Sequence, residues 1–101
     1  MKRIKVVLDV QKLHYSAELA RALAHPLRLK ILEFLDQNQD VNVNKIYNTL
    51  NIEQSITSQH LRVLRTAGVV DYVKEGKYAK YYIKYDVVER AEKAVNRFLG
   101  K

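Results

Sequence analysis

The sequence predicts a mainly helical fold that carries one β-hairpin, and three observations predict it. Apolar residues recur at helical spacing over Val10 to Ala24, over Leu27 to Leu35 and over Val87 to Leu99. On either side of Glu75-Gly76-Lys77, a turn signal, the pattern shifts to β-branched and aromatic residues. Between these parts lies Asn44 to Gly68, NKIYNTLNIEQSITSQHLRVLRTAG, which reads as a short amphipathic helix, a tight polar turn and a longer helix closed by glycine. That spacing is a helix-turn-helix.

Composition narrows the classes. A chain of 101 residues is expected to be one domain with room for a single core. Hydrophobic content of 48% with 29% charge argues against wholesale disorder. Eighteen Lys and Arg against eleven Asp and Glu leave +7, a balance that suits a polyanionic partner. The absence of cysteine excludes disulfides, thiolate metal sites and thiol redox sensing. At the start, MKRIKVVLDVQK has only a brief apolar run, Val6 to Leu8, before Asp9, which fits neither a signal peptide nor a membrane span. The expected location is therefore the cytoplasm. Three glycines are too few for a phosphate-cradling loop and no serine has a recognisable histidine and acid, so no enzyme and no cofactor are expected.

In chain order, residues 1–8 are basic and then β-branched, and fit either a short strand or an extended arm. Asp9 is a suitable N-cap for a first helix running to about Ala24, with Val10, Leu13, Ala17, Ala20, Leu23 and Ala24 as its apolar stripe. The small residues in that stripe permit close approach of another helix. His25-Pro26 ends it, because the residue before proline disfavours helical geometry while proline suits the first turn of the next helix. That second helix, Pro26 to about Gln37, is apolar enough to be the central core helix. QNQDVNV then reads as a polar surface connection.

Within the helix-turn-helix, Ile46, Tyr47 and Leu50 of the first helix and Ile56, Leu61 and Leu64 of the second are expected inside. The outer face of the second helix keeps Gln54, Ser55, Ser58, Gln59, Arg62 and Arg65, with no Asp or Glu. Such side chains donate and accept at base edges or hold phosphates. A hairpin directly after such a helix is the wing of a winged helix. Lys80, Tyr82 and Lys84 alternate onto one of its faces, with Tyr81, Ile83 and Tyr85 on the other. From Val69 to Tyr85 the charges are Lys74, Lys77, Lys80 and Lys84 against Asp71 and Glu75, and with Arg62 and Arg65 this region holds +4 of the +7. A last helix, capped by Asp86 and running to Leu99, shows Val87, Val88, Ala91, Ala94, Val95, Phe98 and Leu99 as a stripe with no evident partner inside so small a domain. Paired with the alanine-rich first helix, it predicts an intermolecular seam. A two-fold dimer sets two recognition helices about 34 Å apart, as successive major grooves require.

The order of elements, with LAHPLRLKILEFL ahead of the motif, SITSQHLRVLRTAGVV within it and an EGK turn before the tyrosine-rich strand, closely resembles the ArsR/SmtB family of winged-helix repressors over roughly residues 9–98. The resemblance implies a homodimer joined through its first and last helices, bound to operator DNA and released by an inducer. It puts base-reading positions on Gln54, Ser55, Ser58 and Gln59, in a recognition helix over 54–67. Arg62, Arg65, Lys77 and Lys80 are expected to hold phosphates, with a wing over 70–84. Leu13, Ala17, Ala20, Ala91, Val95 and Phe98 are the expected dimer interface. Two departures are informative. Metal-sensing members often carry Cys-x-Cys at the third helix, where NVNKIYNTL stands here, and others place Asp and His pairs on the last helix, where YDVVERAEKAVNRFLGK has no histidine. Neither metal site carries over, and the inducer is unassigned.

His14, His25 and His60 match no metal-ligand spacing. His25 sits at a helix boundary, which favours capping or packing over any other role. For His60, beside the outer face, contact with phosphate and a partly buried structural role fit equally, and His14 is a minor candidate for an interface pocket. Tyr72, Tyr81, Tyr82 and Tyr85 read as strand formers packing the hairpin rather than as a ligand pocket. The alternative to a sequence-specific regulator is a winged-helix protein-interaction module or a non-specific duplex binder. A protein-binding helix should display apolar anchors; this one displays Gln, Ser and Arg, which favours DNA.

Overall fold

The computed structural model describes residues 10–98, apart from the side chains of Val10, Val95 and Phe98. The arm or strand expected over residues 1–8, the Asp9 cap, and the side chains of Val95 and Phe98 at the expected interface therefore lie outside the described residues. The order is α1 (Val10–Leu23), α2 (Pro26–Gln37), β1 (Val41–Asn42), α3 (Val43–Leu50), α4 (Gln54–Thr66), β2 (Val70–Glu75), β3 (Tyr78–Ile83) and α5 (Tyr85–Phe98). This is the mainly α winged helix-turn-helix that the periodicity predicts.

Local chemistry sets each boundary. His25, extended at φ −145, caps α2 by accepting the Leu27 N–H on its ring, and Pro26 takes the first turn. Asn42 caps α3 through Oδ1, 2.9 Å from the Lys45 nitrogen. Asn51 ends α3 in the left-handed region at φ 56, and the Ile52 N–H returns to the Tyr47 carbonyl at 3.1 Å. Gly68, at φ 80, ends α4 in the same manner: its N–H bonds the Arg65 carbonyl and that of Val69 the Leu64 carbonyl, both at 2.9 Å. That reversal launches β2. At the hairpin, Gly76 at φ 62 is the first of two turn residues, where a positive φ is needed.

The core is one cluster in which Ile31, Leu35, Ile46, Leu61, Leu64 and Val69 are essentially without exposure. Leu19 joins it from α1, Val70 and Ile83 from the hairpin, and Val87 and Ala91 from α5. Four expectations change. QNQDVNV is not wholly a connection, because Val41 and Asn42 pair antiparallel with Tyr81 and Lys80 and make a sheet of order β1-β3-β2. A two-residue strand is too short to show an alternating pattern. The second helix is not buried all round: Ile31, Phe34 and Leu35 face in while Leu29 is 52% exposed. Tyr85 belongs to α5, not to the hairpin, and Asp86 sits inside that helix's first turn rather than capping it. The Tyr85 hydroxyl donates to Asp36 at 2.6 Å, which raises its pKa, and so ties α5 to the end of α2.

The fourth change concerns the dimer seam. The stripe of α5 does find a partner within the chain, since α5 packs on α1 and Ala91 keeps only 3% exposure. Ala91 therefore has almost no surface left to give a second subunit, and its assignment to the interface is withdrawn. On α1 the buried positions are Leu19 and Ala22, whereas Leu13 and Ala17 are exposed and Ala20 half-buried. Ala91→Asp should consequently cost at least about 3 kcal/mol of unfolding free energy, because it places an unpaired charge in the core. Glu89→Gln, at an exposed position of the same helix outside the core, should change it by no more than about 0.5 kcal/mol. Urea titration of the two variants checks the contrast, and equal stability would contradict it.

Candidate nucleic-acid interface

Helix α4 is held by one face and bare on the other. Leu61 and Leu64 are buried, and so is Thr57, whose hydroxyl is satisfied by donating to the Glu53 carbonyl at 3.0 Å. Thr57 was not among the residues expected inside; its position one turn before Leu61 was the available signal. Gln54, Ser55, Ser58, Gln59, Arg62 and Arg65 are all exposed, together on the outer side of the helix. The helix begins at Gln54 with no side-chain cap from Glu53, so its first N–H groups remain open to an acceptor such as a phosphate.

Strand register decides how the wing meets this helix. Val70 pairs with Ile83, Tyr72 with Tyr81 and Lys74 with Ala79, so these share one face of the hairpin. The Tyr72 and Tyr81 rings lie 5.4 Å apart, and burial raises the pKa of the Tyr81 phenol. This face and α4 enclose a cleft of about 600 Å³ lined by Ser58, Arg62, Arg65, Thr66, Tyr72, Lys74 and Tyr81, with Leu61 and Ala79. Three cations and no carboxylate line it. Lys74, counted in the charge balance but not assigned as a contact, thus joins the site; its even spacing from Val70 and Tyr72 was the signal that could have found it.

Two of the expected phosphate-holding cations are engaged already. Arg65 stacks over Tyr72 with its guanidinium carbon 4.4 Å from the ring centre, and its Nε lies 3.3 Å from Asp71 Oδ1. Lys80 lies on the opposite face of the hairpin and pairs diagonally with Glu75 at 2.8 Å, a hydrogen bond that raises its pKa. Arg62 makes no ion pair among the described residues. Lys77 stands at the turn, fully available, with its Nζ 5.7 Å from the Tyr78 ring centre. The basic groups thus fall into two sets: Arg62, Lys74 and Lys77 have no carboxylate partner among the described residues, whereas Arg65 and Lys80 are each paired with one. Among the described residues no three His, Asp or Glu side chains converge as a metal site would require, and no helix is long and apolar enough to cross a membrane.

A helix-turn-helix with a displayed, carboxylate-free second helix and a basic hairpin beside it defines a winged-helix transcriptional regulator. Residues 25–72 match the family described as bacterial regulatory protein, arsR family. An HTH-type transcriptional regulator of Methanocaldococcus jannaschii is 38% identical over 87 residues, 86% of this chain and 98% of that one. The transcriptional repressor PagR of Bacillus anthracis is 35% identical over 89 residues, 88% of this chain and 89% of that one. The crystal structure of PagR superimposes with a TM-score of 0.71 over 83% of this chain and 97% of PagR. A homodimeric winged helix-turn-helix DNA-binding domain from Mycobacterium bovis superimposes with a TM-score of 0.76 at 25% identity, over 98% of this chain and 90% of that one. The chain belongs to the ArsR family.

Exposed ion pairs contribute little to folding, so Glu75→Ala and Asp71→Ala should each shift the unfolding free energy by less than about 1 kcal/mol. Urea titration measures this, and a larger loss would mean that the pairs brace the wing.

Proposed function

We propose that this chain is a homodimeric repressor that reads operator DNA with α4 and grips the flanking backbone with its wing. The observation that carries this reading is the bare face of α4: four neutral hydrogen-bonding side chains, with cations behind them and no carboxylate on the helix itself. Gln54, Ser55, Ser58 and Gln59 approach bases. Arg62, Lys74 and Lys77 hold phosphates directly, while Arg65 and Lys80 do so by exchanging Asp71 and Glu75 for phosphate. The outward residues Leu13 and Ala17, with Ala20 at their edge, form the α1 part of the dimer seam, joined by Val95 and Phe98 of α5. Two further observations support the seam: Leu13 and Ala17 on this apolar face of α1 are exposed among the described residues, and a similar domain is itself described as homodimeric.

A protein-binding winged helix would need apolar anchors on α4. Val63 is the large apolar side chain exposed there, and it lines a groove with Tyr15 and Leu19 of α1 rather than the face bearing Gln59.

Selection of bound genomic fragments at a stated salt concentration tests the reading directly, because a sequence-specific regulator enriches a common, two-fold-related motif and a non-specific binder enriches none. Against the selected site, Gln59→Ala should cost about 1–3 kcal/mol and relax discrimination at one position. Lys77→Ala should instead weaken all duplexes alike and lower the salt slope by about one. Glu75→Ala works in the other direction, freeing Lys80 and tightening binding to every duplex. Equal loss on specific and scrambled DNA from Gln59→Ala would remove it from the base readers. Sedimentation of Ala17→Asp checks the seam: a folded monomer with no tight operator binding is expected, and an unchanged dimer would move the interface elsewhere.

A further inference from the structure

Three side chains at the corner where α1, α2 and α4 meet have no part in the readout just described. The His25 ring, whose Nδ1 accepts the Leu27 N–H at 3.1 Å, packs on the ring of His60 with centroids 4.5 Å apart and planes at 53°. His60 lies on α4 directly after Gln59 and is half-buried. Arg28 brings Nη1 to 3.5 Å from His60 Nδ1, while its Nε and Nη2 donate to the Ala22 and Arg21 carbonyls at the end of α1. One guanidinium thereby joins the end of α1, the start of α2 and the flank of α4. We propose that His25, Arg28 and His60 form a clamp that positions the recognition helix, closed while the His60 imidazole is neutral and released when it takes up a proton, so that sequence-specific DNA reading weakens on acidification. The inference rests on the DNA-reading function proposed above.

The hydrogen-bond chemistry requires neutral rings. Arg28 is a donor only, so His60 must offer a lone pair at Nδ1, and His25 offers its own Nδ1 lone pair to the Leu27 N–H. A proton on His60 would face the guanidinium at close range. Burial first, then the positive influence of His25 and of Arg28, lowers the His60 pKa from its ordinary 6.5. Among the described residues no carboxylate counts among the influences on His60: Glu18 on α1 pairs with Arg21, Asp71 on β2 pairs with Arg65, and Glu33 on α2 and Glu53 ahead of α4 are exposed. Since the folded-state pKa lies below the unfolded one, the clamp is at full strength above about pH 6.5. It weakens as the pH falls below that value and is lost entirely only below the lowered folded pKa.

The sign makes the proposal testable. Added positive charge by itself tightens a protein on DNA, so a His60 that simply touched phosphate would strengthen binding in acid. The clamp demands the reverse for the specific site. The probes are a duplex selected from a random-sequence library at pH 7.5 and a scrambled duplex of equal length, each titrated at pH 7.5 and 5.5 at one ionic strength. In the wild-type chain the preference for the selected duplex should fall at pH 5.5, by up to about tenfold for the one proton concerned. His60→Gln, which keeps an uncharged acceptor, and His25→Asn, which keeps a capping side chain, should each blunt that fall, and His14→Gln should leave it intact. Far-UV circular dichroism should show the helices retained at pH 5.5. Preference that holds or rises in acid overturns the clamp and leaves the DNA-reading function standing. So does an acid response that persists in both His60→Gln and His25→Asn, or melting of the whole domain at pH 5.5. A chain with no preference for any duplex at pH 7.5 overturns the DNA-reading function and the clamp with it.

Discussion

Burial of Leu61 and Leu64 in the common core is the interaction on which the rest of the structure depends. A helix of 13 residues gains little from its own hydrogen bonds in water, so α4 persists because one face is packed. Full burial of each leucine contributes about 1.5–3 kcal/mol, and the partners come from every quarter: Ile31 and Leu35 from α2, Ile46 from α3, Val69 and Val70 from the start of the wing. The face opposite is thereby released from any structural duty. Gln54, Ser55, Ser58 and Gln59 can be chosen for what they contact rather than for what they pack against.

The wing follows from the same constraint. Gly68 reverses the chain as soon as Leu64 has been buried, and the Val69 N–H closing onto the Leu64 carbonyl couples the end of the helix to the first strand. Register then carries Tyr72 and Lys74 to the face that looks at α4, and Lys80 and Glu75 to the face that does not. Electrostatics are distributed accordingly. Cations beside the helix are left open or lie over an aromatic ring, while Lys80 is neutralised by an exposed partner that is easily exchanged. A basic surface built this way limits self-repulsion in the free protein without surrendering its attraction to a polyanion.

Packing of α5 on α1 divides two tasks that the apolar stripes alone leave merged. Ala22 and Leu19 on α1, with Val87 and Ala91 on α5, close the monomer's core. Leu13 and Ala17, on the other side of α1, are what remains for a second subunit. The same α1 ends in carbonyls held by Arg28, so the element proposed to meet the partner also touches the His25–His60 corner that flanks the recognition helix.

Periodicity and turn chemistry by themselves determined the five helices, the hairpin and the outward face of α4, because those features are local. A helix shows its buried side every three or four residues, and Asn51, Gly68 and Gly76 mark turns through their own backbone freedom. A capping or packing role for His25 was legible beside Pro26, and the structure makes it a cap. Tertiary structure alone decided what depends on residues distant in sequence. Val41 and Asn42 become a strand only because β3 lies beside them. Ala91 turns inward because α1 is there to cover it, where an apolar stripe read in isolation serves an internal or an external partner equally well. The pairing of Lys80 with Glu75, the entry of Lys74 into the cleft, and the meeting of His25 with His60 across 35 positions of sequence all follow from register and helix docking. No spacing rule encodes them, since the contacts arise from three-dimensional packing rather than from any period along the chain.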